Sequence, residues 1–268
     1  VPAVDAGRGG GHLARCVDLV RALRSLGRSA YLHLPPHFDD PSAADLVLPP
    51  ERSVESEPWS FIVLDLFRPR AAELRRWAAL APLVGLDAGG AARDGLDYLL
   101  DLLPGLPSKI SANQACPFLL SVPEARRPSF YSASGVGAPR ILVSFGAEDP
   151  EGLSVPAALS LTAAGKVDLL FGPRSAGPSE AEREALEHSG VRMLAPEKRL
   201  RERLAEYDLL VSHFGLTVFE ALGARVPVLL VSPTSYHRRL AAAAGLPEAG
   251  VGRAAAAQIG RAAGRERV

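Results

Sequence analysis

Short β-branched or leucine-rich runs alternate with amphipathic stretches along most of this chain, and that alternation is its tightest constraint. Runs of this kind separated by helix-length segments make parallel sheets joined by crossover helices. In the front half, strands are expected near Val1–Val4, Ser29–Leu34, Phe61–Asp65, Leu83–Asp87 and Tyr98–Leu102. A helix is expected over about Leu13–Leu26, where Leu13, Cys16, Val17, Val20 and Leu23 share one face at the 3.6-residue period. The pattern breaks between Ser121 and Arg140, where Pro123, Pro128, Gly135, Gly137 and Pro139 punctuate a Ser- and Arg-rich segment. It then restarts, with strands expected at Ile141–Phe145, Val167–Phe171, Val191–Leu194, Leu209–Ser212 and Val226–Val231. The expected fold class is therefore α/β, with two Rossmann-like domains, 1–122 and 140–268, facing across a cleft and joined by a linker over 123–139.

Composition narrows the partner. Thirty basic and thirty acidic residues cancel, which speaks against nucleic acid or a polybasic membrane surface and for a small molecule. No apolar run reaches the roughly 18–20 residues of a membrane span. The front lacks a charged segment followed by an apolar signal core, and Val1–Val4 reads like the end of a strand, so a few natural residues are expected to be missing there. Cys16 and Cys116 have neither metal-knuckle nor redox spacing, which fits a reducing cytoplasm.

Three loops fall at expected strand ends, where ligands of such sheets bind. The first, Asp5-Ala6-Gly7-Arg8-Gly9-Gly10-Gly11-His12, opens a helix. Its glycines let backbone approach a ligand, and amides at a helix start favour an anion, although a tight strand-to-helix turn would use the same residues. It lacks the Gly-Lys-Ser/Thr ending of a P-loop. His12 in the first helical turn is placed to take a proton from a hydroxyl or water. The second loop, Ser144-Phe145-Gly146-Ala147-Glu148-Asp149-Pro150, reads as a turn in which Asp149 caps a helix beginning at Pro150, with room at Gly146 for a ligand. The third, Ser212-His213-Phe214-Gly215-Leu216-Thr217-Val218-Phe219-Glu220, brings free amides and Thr217 to a helix start suited to a diphosphate. Glu220 lies one turn on, where a carboxylate can accept both ribose hydroxyls or simply complement the helix dipole. Asp65 and Asp87 end strands and could contact substrate, orient His12 or cap a helix, and Asp5 is equally ambiguous.

Gly11-His12-Leu13-Ala14-Arg15-Cys16 resembles the signature of the UDP-sugar hydrolase of the pseudaminic acid pathway and of its relatives, the spore-coat polysaccharide glycosyltransferases. Gly215–Leu222 is similar to the donor-binding helix of those proteins and of the lipid II-forming N-acetylglucosaminyltransferase. All have the GT-B fold. Ser144–Pro150 resembles their Gly-Gly-Ser/Thr-Asp turn, with Ala147 and Glu148 as departures. The resemblance implies that His12 is the catalytic base and that Gly9, Gly10 and Gly11 line the phosphates from the front, acceptor-side domain. It further implies that Gly146, Gly215, Leu216 and Thr217 surround the diphosphate from the rear, donor-binding domain, with Glu220 on the ribose. The nucleotide base would be read near Met193 and Leu194. His213 stands where relatives carry a small residue, and Tyr236-His237-Arg238-Arg239 stands where they carry a sugar-contacting Gln or Asn.

The expected activity is transfer of a sugar from a UDP-sugar to a sugar or lipid-linked acceptor in surface-polysaccharide or glycoconjugate assembly. Hydrolysis of the UDP-sugar to free sugar and UDP is the alternative, and a non-catalytic nucleotide-sugar binder is a third class. No cofactor is expected. No Asp-x-Asp pair stands in the strand context that holds a divalent ion, so metal independence is expected as well.

Overall fold

The structure is a computed structural model that describes residues 1–4, 11–35, 38, 40, 43–66, 69–104, 110–115, 122–131, 137–195 and 199–260. Asp5, Gly9, Gly10, Cys116 and the tail beyond 260 lie outside the described residues. The chain forms two compact units, Val1–Ser121 and Val122–Val268.

In the first unit, α1 (Gly11–Ser25) precedes β1 (Ile62–Leu64), α2 (Ala71–Ala78), β2 (Leu83–Leu86), β3 (Tyr98–Asp101) and β4 (Gln114–Ala115). The four strands form one parallel sheet in the order β1-β2-β3-β4. Of the expected strands, Val1–Val4 and Ser29–Leu34 make only single parallel bridges, Pro2 to Asp65 and Leu32 to Val47. A ladder needs partners over several residues, and each segment meets its partner at one. The polar, two-residue β4 carries no apolar run, so the pattern passed over it. Two apolar clusters fill the unit. One joins Leu13, Cys16, Val17 and Val20 of α1 to Leu32 and Leu46; the other joins Ile62, Leu64, Leu83 and Leu99 to Leu74 and Trp77 of α2. Arg93 is fully buried and pairs both guanidinium ends with Asp101 at 2.8 and 2.9 Å, fastening the turn before β3 to its end.

The second unit is a six-stranded parallel sheet in the order β10-β9-β8-β5-β6-β7. Its strands are β5 (Arg140–Val143), β6 (Lys166–Leu170), β7 (Arg192–Leu194), β8 (Leu209–Ser212), β9 (Val228–Ser232) and β10 (Glu248–Val251). The helices between and after them are α3 (Ser154–Leu161), α4 (Glu180–His188), α5 (Leu200–Arg203), α6 (Leu216–Gly223), α7 (Ser235–Ala243) and α8 (Gly252–Ala256). The chain adds β6 and β7 on one side of β5, then β8, β9 and β10 on the other, which puts the reversal of strand order between β5 and β8. Leu153, Leu161, Leu169 and Leu186 are fully buried in the core, each worth about 1.5–3 kcal/mol on removal from water. β10 escaped the pattern because Glu248 and Gly250 interrupt its apolar character.

Asp149 does cap a helix, but that helix begins at Ser154 rather than at Pro150. Its two carboxylate oxygens accept from the amides of Leu153 (2.9 Å) and Ser154 (2.8 Å), and Pro150–Gly152 form a turn beneath them. Asp149 (φ +46°) and Gly152 (φ +61°) both hold the left-handed region, so the chain turns between them instead of running into a helix from Pro150. Arg127, in the stretch read as linker, is buried against the second unit: its amide donates to the Ala224 carbonyl (2.9 Å) and its guanidinium to Tyr207 O (3.0 Å) and Asp208 (3.1 Å). Past α8, Ile259 is buried, and the Ser160 hydroxyl donates to the Ala256 carbonyl at 3.1 Å, so the tail folds back on α3. Among the described residues, no helix is long and apolar enough to cross a membrane.

Candidate functional site

His12 is the second residue of α1, and its Nδ1 lies 2.6 Å from Oδ1 of Asp65, just past β1. Asp65 is completely buried, whereas the His12 side chain keeps a fifth of its surface exposed. Arg15, one turn along α1 from His12, donates Nε to Oδ2 of Asp65 at 2.5 Å and Nη2 to Oδ1 of the same group. Its Nη1 donates to Asp87, whose other oxygen accepts from the amides of Leu102 (2.7 Å) and Leu103 (2.8 Å). One guanidinium thus joins two buried carboxylates, and one of these holds the histidine.

Burial, the largest single influence on Asp65, works to raise its carboxyl, but the hydrogen bonds and charge of Arg15, with those of His12, outweigh it and the group lies below its ordinary value. On Asp87 burial prevails over Arg15 and the two amides, and the carboxyl lies above its ordinary value. Burial pushes the neighbouring Cys16 thiol up to about 12, so it stays protonated, with its sulfur 3.7 Å from Asp65 Oδ2. An ionised Asp65 accepts only, so Nδ1 of His12 carries the hydrogen and the lone pair of the neutral ring falls at Nε2. That is the arrangement of a general base oriented by a buried carboxylate.

Three further predicted residues meet at strand ends in the second unit. His213, after β8, lies with Nε2 3.0 Å from the Phe145 carbonyl and Nδ1 2.9 Å from its neighbour Phe214 O, so its ring spans the strand-order reversal to the end of β5. Gly146 has φ +78°, and a Cβ there would stand 3.1 Å from His213 Nε2. His237, at the start of α7, stacks edge-on to His213 with ring centres 5.8 Å apart, and Thr234 Oγ1 lies 2.9 Å from its Nδ1. Burial, reinforced by His213, pushes the His237 imidazole down to about 4.

Gly215 precedes α6 and brings no side chain to cap it, leaving the first-turn region of Leu216 and Thr217 to the backbone alone. Glu220, one turn on, has Oε1 3.9 Å from Nη1 of Arg201 on α5. Met193 packs against the core of its unit and Leu194 ends β7. The structure therefore brings together His12, Asp65 and Asp87 in one unit, and Gly146, His213 and His237 in the other. Gly11 opens α1, while Asp5, Gly9 and Gly10 lie outside the described residues. Sequence reasoning missed the roles of Arg15 and Arg201. The signal for Arg15 was its spacing of three from His12, which places both on one helix face.

No protein-family profile matches the chain, and no curated protein matches it. Solved structures do. CalG4, the calicheamicin glycosyltransferase, superposes with a TM-score of 0.51 at 15% identity, covering 96% of this chain and 87% of that one. WaaG, a glycosyltransferase involved in lipopolysaccharide biosynthesis, gives 0.45 at 17% identity over 95% and 87%. SsfS6, a glycosyltransferase of Streptomyces sp. SF2575 complexed with thymidine diphosphate, gives 0.35 at 19% over 71% and 62%. The likeness to CalG4 is one of fold, and with the two parallel-sheet units it shows that this chain has the α/β, double-Rossmann fold of the GT-B glycosyltransferases.

Proposed function

We propose that the protein transfers a sugar from a UDP-sugar to the hydroxyl of an acceptor, with His12 as the general base. The observation that carries this is the Nδ1 hydrogen bond of His12 to the buried Asp65, because it leaves Nε2 as the basic position of an accessible ring. The acceptor O–H gives its proton to Nε2 as its oxygen forms a bond to the anomeric carbon. The bond from that carbon to the diphosphate oxygen breaks, and UDP leaves with the electron pair. Asp65, fixed by Arg15, stabilises the imidazolium that forms.

The donor half of the reading rests on the second unit. Leu216 and Thr217 at the uncapped start of α6 would meet the negative diphosphate, Gly146 would leave it space, and Glu220 would accept from the ribose. Met193 and Leu194 would border the base. An amide-lined helix start of this kind takes up leaving-group charge without a metal. Surface-polysaccharide or glycoconjugate assembly is the setting we infer from the resemblance of the His12 and Gly215 motifs.

Two variants test this. Glu220→Ala should weaken UDP about tenfold by calorimetry, equal to about 1.4 kcal/mol, while CDP, GDP and ADP bind worse than UDP to the parent. His12→Ala should retain UDP and lose turnover. Absence of any nucleotide binding would overturn the reading, unchanged turnover in His12→Ala would remove the histidine from the chemistry, and UDP binding without turnover in the parent would leave a binder rather than an enzyme. Release of free sugar with oxygen from labelled water, in the presence of acceptors, would redirect the same base to hydrolysis.

A further inference from the structure

Asp87 follows β2 and takes no part in the proton transfer itself, yet one side chain ties it to the base. Nη1 of Arg15 donates to its Oδ2, while Nε and Nη2 of the same guanidinium hold Asp65, and Asp65 holds Nδ1 of His12. The other oxygen of Asp87 accepts from the amides of Leu102 (2.7 Å) and Leu103 (2.8 Å). All three partners donate, which suits an ionised carboxyl, and with only 2% of its surface exposed Asp87 is closed off from substrate.

The two strand ends that Asp87 joins are fastened a second time. Arg93 donates to the Ala88 carbonyl at 2.6 Å, next to Asp87, and to both oxygens of Asp101, next to Leu102, at 2.8 and 2.9 Å. What Asp87 adds to this tie is charge. Arg15 by itself would cancel Asp65, and an imidazolium formed on His12 would then stand uncompensated against a buried cluster, which is costly. With Asp87 included, the linked side chains of His12, Asp65, Arg15 and Asp87 carry one net negative charge while the ring is neutral and none once it holds a proton. Among the described residues, the other titratable groups near this chain of contacts do not replace it. The Cys16 thiol stays protonated, Arg93 and Asp101 pair with each other, and the Val1 ammonium adds positive charge.

We infer that Asp87 is a positioning residue of the base: it grips Arg15 by its third nitrogen, which keeps the guanidinium fork on Asp65, and it supplies the negative charge that leaves the cluster neutral when His12 takes the acceptor's proton. An imidazolium compensated in this way makes the ring a stronger base and proton abstraction faster. The inference rests on His12 being the base and adds to that reading the buried carboxylate that tunes it.

The test follows the His12 ring and the Asp87 carboxyl by NMR in the full chain. In Asp87→Asn the His12 ring should give up its proton about 1 pH unit lower than in the parent, as a tenfold weaker base does. The acid limb of kcat/KM against pH, measured with a UDP-sugar, should move down by the same amount while the plateau falls severalfold. The reciprocal measurement leaves Asp87 in place. Coupling between two sites acts equally in both directions, so His12→Gln, a change at an accessible ring, should let the Asp87 carboxyl titrate about 1 pH unit higher. A His12 ring that titrates alike with and without Asp87, an Asp87 carboxyl indifferent to His12→Gln, or a fallen plateau with an unmoved acid limb would each overturn the inference and leave Asp87 a strand-end contact. Neither titration needs turnover, so a parent without activity would overturn the sugar-transfer reading while the two titrations still decide the coupling.

Discussion

Arg15 holds Asp65 and Asp87 with one guanidinium and draws both carboxyls down, yet burial leaves Asp87 above its ordinary value while Asp65 lies below. The difference is one of partners. Asp65 receives two nitrogens of Arg15 and Nδ1 of His12, whereas Asp87 receives one arginine nitrogen and two neutral amides and cannot offset its burial.

Replacing Arg15 by Met removes the shared cation and leaves two buried carboxylates facing each other. Losing one partner of a buried ionic network costs about 3–5 kcal/mol, and urea denaturation should show a loss of that order. A change within about 1 kcal/mol would mean the carboxylates find other partners.

Asp65→Asn keeps the shape and removes the acceptor-only character. The amide can donate to Nδ1, which favours the tautomer with its hydrogen on Nε2, and the base is lost. Turnover should fall by about 10²–10⁴-fold with UDP affinity unchanged. Equal kinetics to the parent would separate His12 from any role that depends on Asp65.

The histidine of α7 sets an acid limit. His237 titrates at about 4 in the fold against 6.5 for the free side chain, so its folded form binds the proton less readily than the unfolded chain. Stability from this group is fully present above pH 6.5 and is lost as pH falls toward 4. Thermal melts across that window should show a falling melting temperature, and His237→Gln should flatten part of the slope. Asp65, depressed below 3.8, adds its own loss only at lower pH.

Gly146→Ala forces a side chain into φ +78°, with its Cβ 3.1 Å from the His213 ring. The backbone term alone is about 1–2 kcal/mol. A melt should show that loss, and Gly146→Ala with His213→Ser should recover only the part due to the ring contact. Full recovery would mean that the backbone pays nothing there.

The buried runs of the second unit were legible because strands such as Leu209–Ser212 are apolar on both faces and short, which leaves a parallel sheet as the one way to bury them. His12 was legible from its motif as a candidate base. Its partner was legible only as a strand-end aspartate among others, since nothing local ties Asp65 to a residue 53 positions away. Arg15 was hidden for the same reason: on α1 it looks like a polar interruption of an apolar face, and only the fold brings two carboxylates to it. The single bridges at Pro2 and Leu32 show the converse case, apolar segments read correctly as extended but short of neighbours.

Arg127 also decides where this protein can be divided. A fragment cut at Arg140, where the second run of strands begins, would strip the Arg127 guanidinium from Tyr207 O and Asp208 and its amide from the Ala224 carbonyl, and would remove the carbonyls that Arg225 reaches at residues 127 and 128. A fragment cut at Val122 keeps every one of them. The second unit therefore starts eighteen residues before its first strand, and Arg127 ties that leading stretch to the residues just ahead of β8 and β9.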